Sequence, residues 1–545
     1  MKRLKPFISM LLALTTALSM ALPAAAADGP KKFRAVWVST IYNLDYPSEV
    51  GLSISQMKSE ARQILDKCKS MGMTAVILQV RPNGDAFYKS SLYPWSQYLT
   101  GSQGIAPSGG FDPLKYWVTE AHARGLELHA WINPYRVTRS GTADYNSLAS
   151  SNPAVKHPDW VVKYSDGNYY LNPGIPEVRK LVVDGVTEIV RNYDVDGIHM
   201  DDYFYPGTGF SDDAAYKKYG SAFQSIDDWR RDNVNQLVKA IHAAIRKVDS
   251  TVSFGVSPFG IWANKSASMP QGSDTSGNQT YFSHYADTRK WVKEGWIDYI
   301  CPQIYWEIGH NKADYETLAN WWAGTVRGTG VKLYIGMADY KAGNSSKSSP
   351  WHGITAIENQ IALNATIPEI TGEVHFRYQF LLSVSGLEEF YTAAYNGKII
   401  PDAPVVPPAS ETGVKNRYTS SDKTGDWVEY ENGDWKFLLA GGAAASSWQK
   451  IDGAWYYFNP EGNQMITGWR QIDGKWYYFR SWGGMATSWY REGNTWYYLT
   501  GTGAISQRWY QLGGKWYYFY QNGVMACSAT TPDGCRVDAS GVWIR

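Results

Sequence analysis

The sequence of 545 residues is poor in cysteine and in net charge. Four cysteines are too few for a disulfide scaffold, and their spacing matches no zinc site. The net charge of +1, from 52 Lys and Arg against 51 Asp and Glu, removes the electrostatic basis for binding nucleic acid or an anionic membrane. After the N-terminus no segment is apolar enough to cross a bilayer.

Aromatic residues are abundant, but unevenly so. The chain has 25 Trp and 39 Tyr against 17 Phe. Trp and Tyr combine a flat face with a polar group, so they suit surfaces that stack on sugars or cations. The excess therefore indicates ligand contact rather than a larger core.

The N-terminus predicts secretion. Three basic residues lie among the first five, an apolar run covers 7–22, and alanines fill 24–27. We expect 1–27 to be a signal peptide, with an uncleaved membrane anchor as the alternative. No cysteine lies near the cleavage point, so we do not expect lipoprotein attachment. In an exported chain, Cys527 and Cys535 are close enough in sequence to pair, and the sequence leaves this open.

The chain divides at a proline-rich segment. We expect a barrel domain over 28–399, a semi-rigid linker over 400–417 and a repeat domain over 418–545. The barrel domain alternates strand-like and helix-like patterns. The predicted strands cover 33–39, 74–80, 126–131, 195–200, 251–257, 298–305, 331–336 and 373–376. Eight such units predict an α/β fold, a (β/α)8 TIM barrel. The alternative, an open doubly wound sheet, is expected to have a Gly-rich phosphate-binding loop after an early strand, and the sequence has none.

Polar and aromatic residues cluster after the predicted strands, at the end where TIM-barrel active sites lie. Many acids with no metal-ligand motif favour glycoside hydrolysis, which uses a pair of carboxyl groups. We expect Asp201, which shares a strand face with His199, to be catalytic, with Asp202 or Glu307 as its partner. Asp202 could instead cap a helix or pair with an arginine, and Glu307 could be a surface acid.

Further polar and aromatic residues at these strand ends are expected to bind substrate. No metal or cofactor is expected. The substrate-binding candidates are Arg81, Asp85, His129, Trp131, Asn133, Arg136, His199, Tyr203, Gln303, Tyr305 and Trp306.

Long motifs in this region resemble the bacterial glycosyl-hydrolase-like family ten, over roughly Lys32 to Gly397. The motifs are Phe33-Arg-Ala-Val-Trp-Val, Gln79-Val-Arg-Pro-Asn-Gly-Asp-Ala, Gly125-Leu-Glu-Leu-His-Ala-Trp-Ile-Asn-Pro-Tyr-Arg and Gly197-Ile-His-Met-Asp-Asp-Tyr-Phe-Tyr-Pro. The resemblance implies a TIM-barrel glycosidase whose substrate class is the glycan strand of peptidoglycan.

Two more distant resemblances concern the fourth strand. Gly197-x-His-x-Asp201 is similar to the Gly-x-Arg-x-Asp of the alpha-amylase superfamily, in which the Asp is the nucleophile; here His199 replaces the Arg. The chitinase pattern would place its catalytic Glu at Tyr203, so substrate-assisted chitinase chemistry is not favoured.

After the linker, Trp448, Trp469, Trp489 and Trp509 recur every 20 or 21 residues, each with Trp-Tyr-Tyr starting seven residues later. Each unit predicts a β-hairpin, and the hairpins must stack as a solenoid to bury their apolar faces. The units resemble choline-binding, or cell-wall-binding, repeats. The resemblance implies aromatic cages for choline-bearing teichoic acid or another wall polymer. The rings could alternatively serve only to join hairpins. The candidate ligand-binding rings are Trp448, Trp455, Tyr457, Trp469, Trp476, Tyr478, Trp489, Trp496, Tyr498, Trp509, Trp516 and Tyr518.

Together these features predict a secreted glycoside hydrolase of a Gram-positive bacterial cell wall. The barrel would cleave peptidoglycan glycan while the repeats hold the enzyme on the wall. The alternative is a non-catalytic wall-binding or adhesive protein with an inactive barrel. An amidase would need a metal site or a nucleophilic Cys or Ser motif, and the sequence shows neither.

Overall fold

The computed structural model describes residues 32–396, except 140, 347 and 348, and residues 425–544, except 430–433, 440–441, 452–453, 481–482, 493–494 and 513–514. The predicted signal peptide and linker lie outside the described residues. Within these ranges, no helix is both long and apolar enough to cross a membrane.

Eight parallel strands close into a barrel in which every strand pairs with its neighbours in chain order, and the last pairs with the first. This confirms the predicted fold. The sixth strand is the largest departure, because only two residues of the predicted 298–305 are paired. The strands are β1 (Phe33–Val38), β2 (Ala75–Arg81), β3 (Glu127–Ile132), β4 (Gly197–Met200), β5 (Ser253–Val256), β6 (Tyr299–Ile300), β7 (Lys332–Met337) and β8 (Ile370–His375).

A helix follows each strand and packs on the outside of the barrel. These eight helices are Ile54–Ser70, Pro113–His122, Pro176–Asn192, Ile226–Val248, Thr288–Lys293, Tyr315–Val326, Thr355–Thr366 and Leu387–Tyr395. The first begins with a capping box, in which Ser53 and Gln56 each satisfy a backbone N–H of the other. Insertions add the short helices Gln97–Thr100, Gly141–Asn146, Pro153–Lys156, Asp213–Tyr219, Thr280–Ser283 and Tyr378–Ser383 and the hairpin of Val161–Lys163 with Tyr169–Leu171.

The strands separate two packing layers. In β1, Ala35 and Trp37 belong to the cluster inside the barrel, whereas Val36 and Val38 pack in the layer between strands and helices. This alternation follows from the two-residue period of a strand. Side chains that point inward near the strand ends therefore reach the open end of the barrel.

The repeat region consists of two-stranded antiparallel hairpins, as the sequence predicts. Five of them have strands of five residues each: Gly425–Glu429 with Trp435–Leu439, Ser447–Ile451 with Ala454–Phe458, Gly468–Ile472 with Lys475–Phe479, Ser488–Glu492 with Thr495–Leu499, and Arg508–Leu512 with Lys515–Phe519. A short pair, Arg536–Val537 with Trp543–Ile544, follows. Backbone bonds join neighbouring hairpins, as from Met485 N–H to the Trp455 carbonyl at 2.7 Å. Cys535 is a free thiol, so it forms no disulfide with Cys527.

Candidate active site

Two adjacent acids, Asp201 and Asp202, follow the last residue of β4. They are buried, with 4% and 8% of their surfaces exposed. Strand alternation places Asp201 on the inward face that His199 also occupies. Because the two carboxyl groups are neighbours away from water, it is costly for both to be charged at once. A state in which only one of the two is charged is therefore expected up to about neutral pH.

Asp201 is the acid of the pair with the stronger set of neighbours that stabilise its charged form. The Asn133 side-chain amide donates to its two oxygens at 3.2 and 3.3 Å, and the Tyr203 N–H lies 3.5 Å from Oδ1. Burial raises the pKa of Asp201, and the charge of Arg136 acts most strongly in the opposite direction. Trp131 lies beside the same carboxylate.

The loop after β3 fixes both Asn133 and Arg136. The Arg136 N–H donates to Asn133 Oδ1 at 3.1 Å, which turns the amide N–H groups of Asn133 toward Asp201. The guanidinium donates to the Pro82 carbonyl at 3.0 Å and to Asn83 Oδ1 at 3.2 Å. It also lies 4.7 Å above the ring of Tyr203. The loops after β2 and β3 thus hold one cation close to the acid pair.

Asp202 is the acid that the surroundings favour as protonated. Burial, then the charge of Asp201, raise the pKa of Asp202 from 3.8 to about 7. A side-chain hydrogen bond from Gln303 and the charge of Arg136 oppose this rise. Gln303 is itself held by a bond from its Nε2 to the Ser257 carbonyl at 2.9 Å. Asp202 can therefore give up a proton near neutral pH, beside a carboxylate whose charge Asn133 and Arg136 stabilise.

An aromatic wall lies beside the acids. The Asp202 charge affects the pKa of Tyr305, which places Tyr305 near it. The ring of Phe376 lies 5.8 Å from Trp37, 6.2 Å from Tyr305 and 6.2 Å from Tyr340. The sequence prediction omitted Trp37, Tyr340 and Phe376. Their positions within or just after predicted strands could have marked them as candidates to line the open end of the barrel.

His199 lies inside the barrel rather than at its open end, and it is completely buried. Trp37 Nε1, which can only donate, bonds His199 Nε2 at 3.1 Å, and Ser257 Oγ lies 2.9 Å from the same nitrogen. The ring proton is therefore assigned to Nδ1, which faces the Tyr299 hydroxyl at 3.0 Å. Burial lowers the pKa of His199 well below its usual value, so the ring is neutral.

The hydrogen-bond chain continues away from the acids. Tyr299 can then donate to His129 Nδ1 at 2.9 Å, and His129 Nε2 lies 3.3 Å from Glu127, the first residue of β3. The bond from His129 lowers the pKa of Glu127. The structure thus places His129 and His199 in a buried network, where neither is exposed to a substrate.

Arg81 and Asp85 are also buried, at the last residue of β2 and in the loop that follows it. Arg81 is turned outward, with its guanidinium 4.5 Å from the Tyr93 ring centroid and so close to Gly185 that a Cβ there would lie 2.4 Å from Nη1. Asp85 accepts from the Asn83 N–H at 3.1 Å, and burial raises the pKa of Asp85 to about 6. The two residues support the loop that holds Arg136.

Glu307 has partners of its own, apart from the acid pair. Trp351 Nε1 donates to Glu307 Oε2 at 3.2 Å. Lys341, whose Nζ donates to the Tyr305 carbonyl at 2.6 Å, interacts with the Glu307 charge. Trp306, the preceding residue, is partly buried. The described residues contain no group of three His, Cys, Asp or Glu side chains that could hold a metal ion.

The aromatic residues of the repeats pack mainly on one another. Trp448 lies 5.1 Å from Tyr457 across its own hairpin and 5.0 Å from Tyr477 of the next. Later hairpins repeat this arrangement for Trp469 with Tyr478, Trp489 with Tyr498 and Trp509 with Tyr518. The first Trp of each Trp-Tyr-Tyr differs in exposure: 43% for Trp455, 41% for Trp476, 39% for Trp516 and 8% for Trp496.

Comparison with known proteins identifies the repeats. A choline-binding repeat model matches 466–507, and a cell wall binding repeat model matches 446–463 and 507–525. Choline binding protein F of Streptococcus pneumoniae is 43% identical to this chain over 22% of it and 40% of that protein, with a TM-score of 0.21.

The barrel matches the family model described as Glycosyl hydrolase-like 10 over residues 32–353. Glycosyl hydrolase YngK of Bacillus subtilis (strain 168) is 45% identical over 75% of this chain and 81% of its own length. Glycosyl hydrolase DigH of Escherichia coli (strain K12) is 43% identical over 66% of this chain and 86% of its own length. The chain therefore belongs to the Glycosyl hydrolase-like 10 family, as its motifs predict, and carries choline-binding and cell wall binding repeats after the barrel.

Proposed function

We propose that the protein is a secreted glycoside hydrolase that cleaves the glycan strands of peptidoglycan, with Asp202 as proton donor and Asp201 as the charged carboxylate. The observation that carries this proposal is the unequal environment of two adjacent buried acids. Asn133 and Arg136 favour charge on Asp201, while burial and the Asp201 charge raise the pKa of Asp202 to about 7. Glycoside hydrolysis needs one carboxyl group in each state.

In the proposed reaction, Asp202 gives its proton to the glycosidic oxygen as the bond to the anomeric carbon breaks. Asp201 stabilises the positive charge that develops on the sugar, and it acts either as the nucleophile or as the base for water. Water supplies the hydroxyl of the new reducing end. Its other proton goes to Asp202 if Asp201 is the nucleophile; if Asp201 is the base, Asp201 takes this proton, and transfer through solvent then restores Asp202. Placing both groups in a site with little water strengthens these electrostatic effects.

Five predicted substrate-binding residues stay in this proposal because they surround the acids: Asn133, Arg136, Tyr203, Gln303 and Tyr305. Aromatic rings pack against the apolar faces of sugars, which gives Tyr305, Tyr340 and Phe376 a role as a platform. We do not retain His129, His199, Arg81 or Asp85 as substrate contacts, because each is buried and held by protein groups other than the acid pair. Glu307 becomes a secondary candidate.

We infer that the cell wall is the site of action because the chain combines a barrel of a glycosyl-hydrolase-like family with wall-binding repeats. A signal peptide over 1–27 would export the enzyme, and the repeats would bind a wall polymer, either choline-bearing teichoic acid or another wall glycan. Attachment raises the local concentration of glycan around the barrel. The curated relatives are named glycosyl hydrolases, which supports the reaction class.

The test is release of reducing ends from purified peptidoglycan glycan strands. We expect the wild-type protein to release them and both Asp201→Asn and Asp202→Asn to lose at least 100-fold in rate, about the lower end of what positioned acid–base groups contribute. Asp66→Asn, at a surface acid bonded to Arg124, is the matched control and should keep full activity. If the wild-type binds walls but releases no reducing ends, the protein is the non-catalytic wall-binding alternative.

A further inference from the structure

A pocket lies between the loop after β1 and the segment that follows β8. Its volume is about 650 Å³, within the range of small-ligand sites. Both segments begin at the carboxyl end of a strand, so the pocket belongs to the open end of the barrel. In a closed barrel of eight strands β8 lies opposite β4, so the pocket and the acid pair are on opposite sides of this end. Polar residues and leucines line it, among them Asn43, Ser48, Gln379, Ser383, Leu44 and Leu382.

The charged groups at the pocket bind each other. Arg377 Nη1 donates to Asp45 Oδ1 at 2.5 Å, and the two side chains are 9% and 0% exposed. Asp45 also accepts from the N–H groups of Ser39 at 2.8 Å and Gln379 at 3.0 Å. Because Arg377 neutralises Asp45, the lining residues offer amide and hydroxyl groups rather than an uncompensated charge. Such groups exchange hydrogen bonds with sugar hydroxyls.

Large apolar side chains are exposed on the same side of the barrel. Leu44 and Leu382 are each 40% exposed, Tyr42 is 48% exposed and Tyr340 is 40% exposed. These residues follow β1, β7 and β8, which are neighbouring strands. The Tyr340 ring lies 6.2 Å from that of Phe380, in the same short helix as Leu382. Exposed apolar residues that are grouped in this way mark a binding surface.

The turn before the pocket has a strained backbone. Tyr42 and Asn43 both have a φ of 55°, in the left-handed region that is costly for a bulky side chain. Asn43 Nδ2 holds the turn by donating to the carbonyls of Pro47 and Tyr98, each at 2.8 Å. Strain that the surroundings maintain in this way is concentrated at functional sites. The backbone therefore supports a binding role for this loop.

A row of aromatic rings connects the pocket with the acid pair. Tyr305, which lies near Asp202, is 5.8 Å from Tyr340, and Tyr340 is 6.2 Å from Phe380. The guanidinium of Arg377, beside the pocket, lies 4.8 Å from the Phe380 ring. Because sugars pack their apolar faces on such rings, a glycan strand can follow this row from the acids to the pocket.

We propose that the pocket is a distal sugar-binding site, which holds uncharged sugar units of the glycan strand while the bond beside Asp201 and Asp202 is cut. The inference rests on the proposed function, because the acid pair marks the place of cleavage. A strand held at the pocket reaches the acids as part of the same complex, so the second contact adds to the first. A short fragment cannot make both contacts. The protein should therefore hydrolyse long strands in preference to short oligosaccharides.

The test fills the pocket without touching the acids. Ser383 lines the pocket and is exposed, so Ser383→Leu takes up space there and adds no hydrogen-bonding group. Ser385→Leu, at an exposed serine two residues later that does not line the pocket, is the matched control. We expect Ser383→Leu to lower kcat/KM on long glycan strands about tenfold, mainly through KM, which corresponds to about 1.4 kcal/mol of lost binding. Ser385→Leu should match the wild-type.

A truncation gives a second, independent variant. Leu382→Ala removes an apolar contact whose exposed part a sugar would cover, so we expect kcat/KM on long strands to fall about fivefold. Ile105→Ala, at an exposed isoleucine outside the pocket, is its control and should show no loss.

Chain length separates a sugar site from a structural effect. On the shortest oligosaccharide that is hydrolysed, Ser383→Leu and Leu382→Ala should match the wild-type, and their deficit should appear as the oligosaccharide grows longer. An equal loss at every length, or no loss on long strands, would overturn the proposal.

Hydrogen–deuterium exchange tests the pocket independently of hydrolysis. We expect long strands, but not the shortest oligosaccharide, to slow amide exchange in 43–48 and 378–383 of full-length Asp202→Asn. Absence of this protection would also overturn the proposal. A wild-type protein that releases no reducing ends, yet shows the protection, would contradict the proposed hydrolase activity and leave the sugar site supported, so the two failures are distinct.

Discussion

Replacing Asp202 by asparagine measures how much the burial of this carboxyl group costs in folding stability, independently of its proposed role in catalysis. Its pKa rises from 3.8 to about 7 in the folded protein. A difference of about 3 units corresponds to about 4 kcal/mol, because each unit is worth about 1.4 kcal/mol. Since the pKa of Asp202 is raised in the folded protein, the protonated carboxyl favours folding relative to the charged one. This contribution to stability is fully present below pH 3.8 and is lost as the pH rises through about 7. Above pH 7 the wild-type protein therefore carries the full cost of a buried charge.

Asparagine keeps the shape and carries no charge, so it avoids this cost. We expect the free energy of unfolding of Asp202→Asn, relative to wild-type, to increase by about 3 kcal/mol between pH 5 and pH 8. Urea denaturation at the two pH values measures this difference. Asp213→Asn, at an exposed acid, is the control and should show no such trend. If the stability of Asp202→Asn relative to wild-type does not rise with pH, the carboxyl group of Asp202 does not have a raised pKa in the folded protein.

Three further changes test other parts of the site. Asp201→Asn removes the charge that helps to raise the pKa of Asp202, so any residual activity should decline at lower pH than wild-type activity; an unshifted pH–rate profile would count against their coupling. Tyr299→Phe removes a hydroxyl bonded to both interior histidines and should cost about 1–3 kcal/mol in urea denaturation, whereas Tyr334→Phe is the control. Glu307→Gln should retain reducing-end release within about tenfold of wild-type; a loss as large as that of Asp202→Asn, where ~10²–10⁴-fold is expected, would make Glu307 the proton donor.

The sequence predicts the barrel because eight strand-like runs alternate with amphipathic segments of helical length. It also places Asp201, Asn133 and Arg136 at neighbouring strand ends, and the structure brings these residues together. The sequence predicts less well how far along the barrel axis each inward-facing side chain lies. Alternation shows that His129 and His199 face inward, but not that they lie below the open end, where they form a buried network.

Arg81 shows a second limit. The pairing of β2 with β3 shifts register between Gln79 and Arg81. A shift of one residue moves a side chain to the other face of the strand, so Arg81 points outward to Tyr93. Such a shift depends on the neighbouring strand and cannot be read from the local sequence.

The repeats show the same dependence on neighbours. Trp455 and Trp496 occupy the same motif position, but their exposures are 43% and 8%. The periodic sequence therefore predicts each hairpin well. It does not determine which ring remains accessible, because that depends on the residues that the adjacent hairpin presents.

We propose that the Asp201 and Asp202 pair cleaves cell-wall glycan. The most direct measurement is the pH dependence of reducing-end release from purified peptidoglycan glycan strands by the full chain. We expect activity to decline as the pH rises through about 7, because Asp202 loses its proton, and we expect Asp202→Asn to lose nearly all activity. Undiminished reducing-end release in Asp202→Asn, or no release by the wild-type protein at any pH, would show that this acid pair does not cleave the glycan.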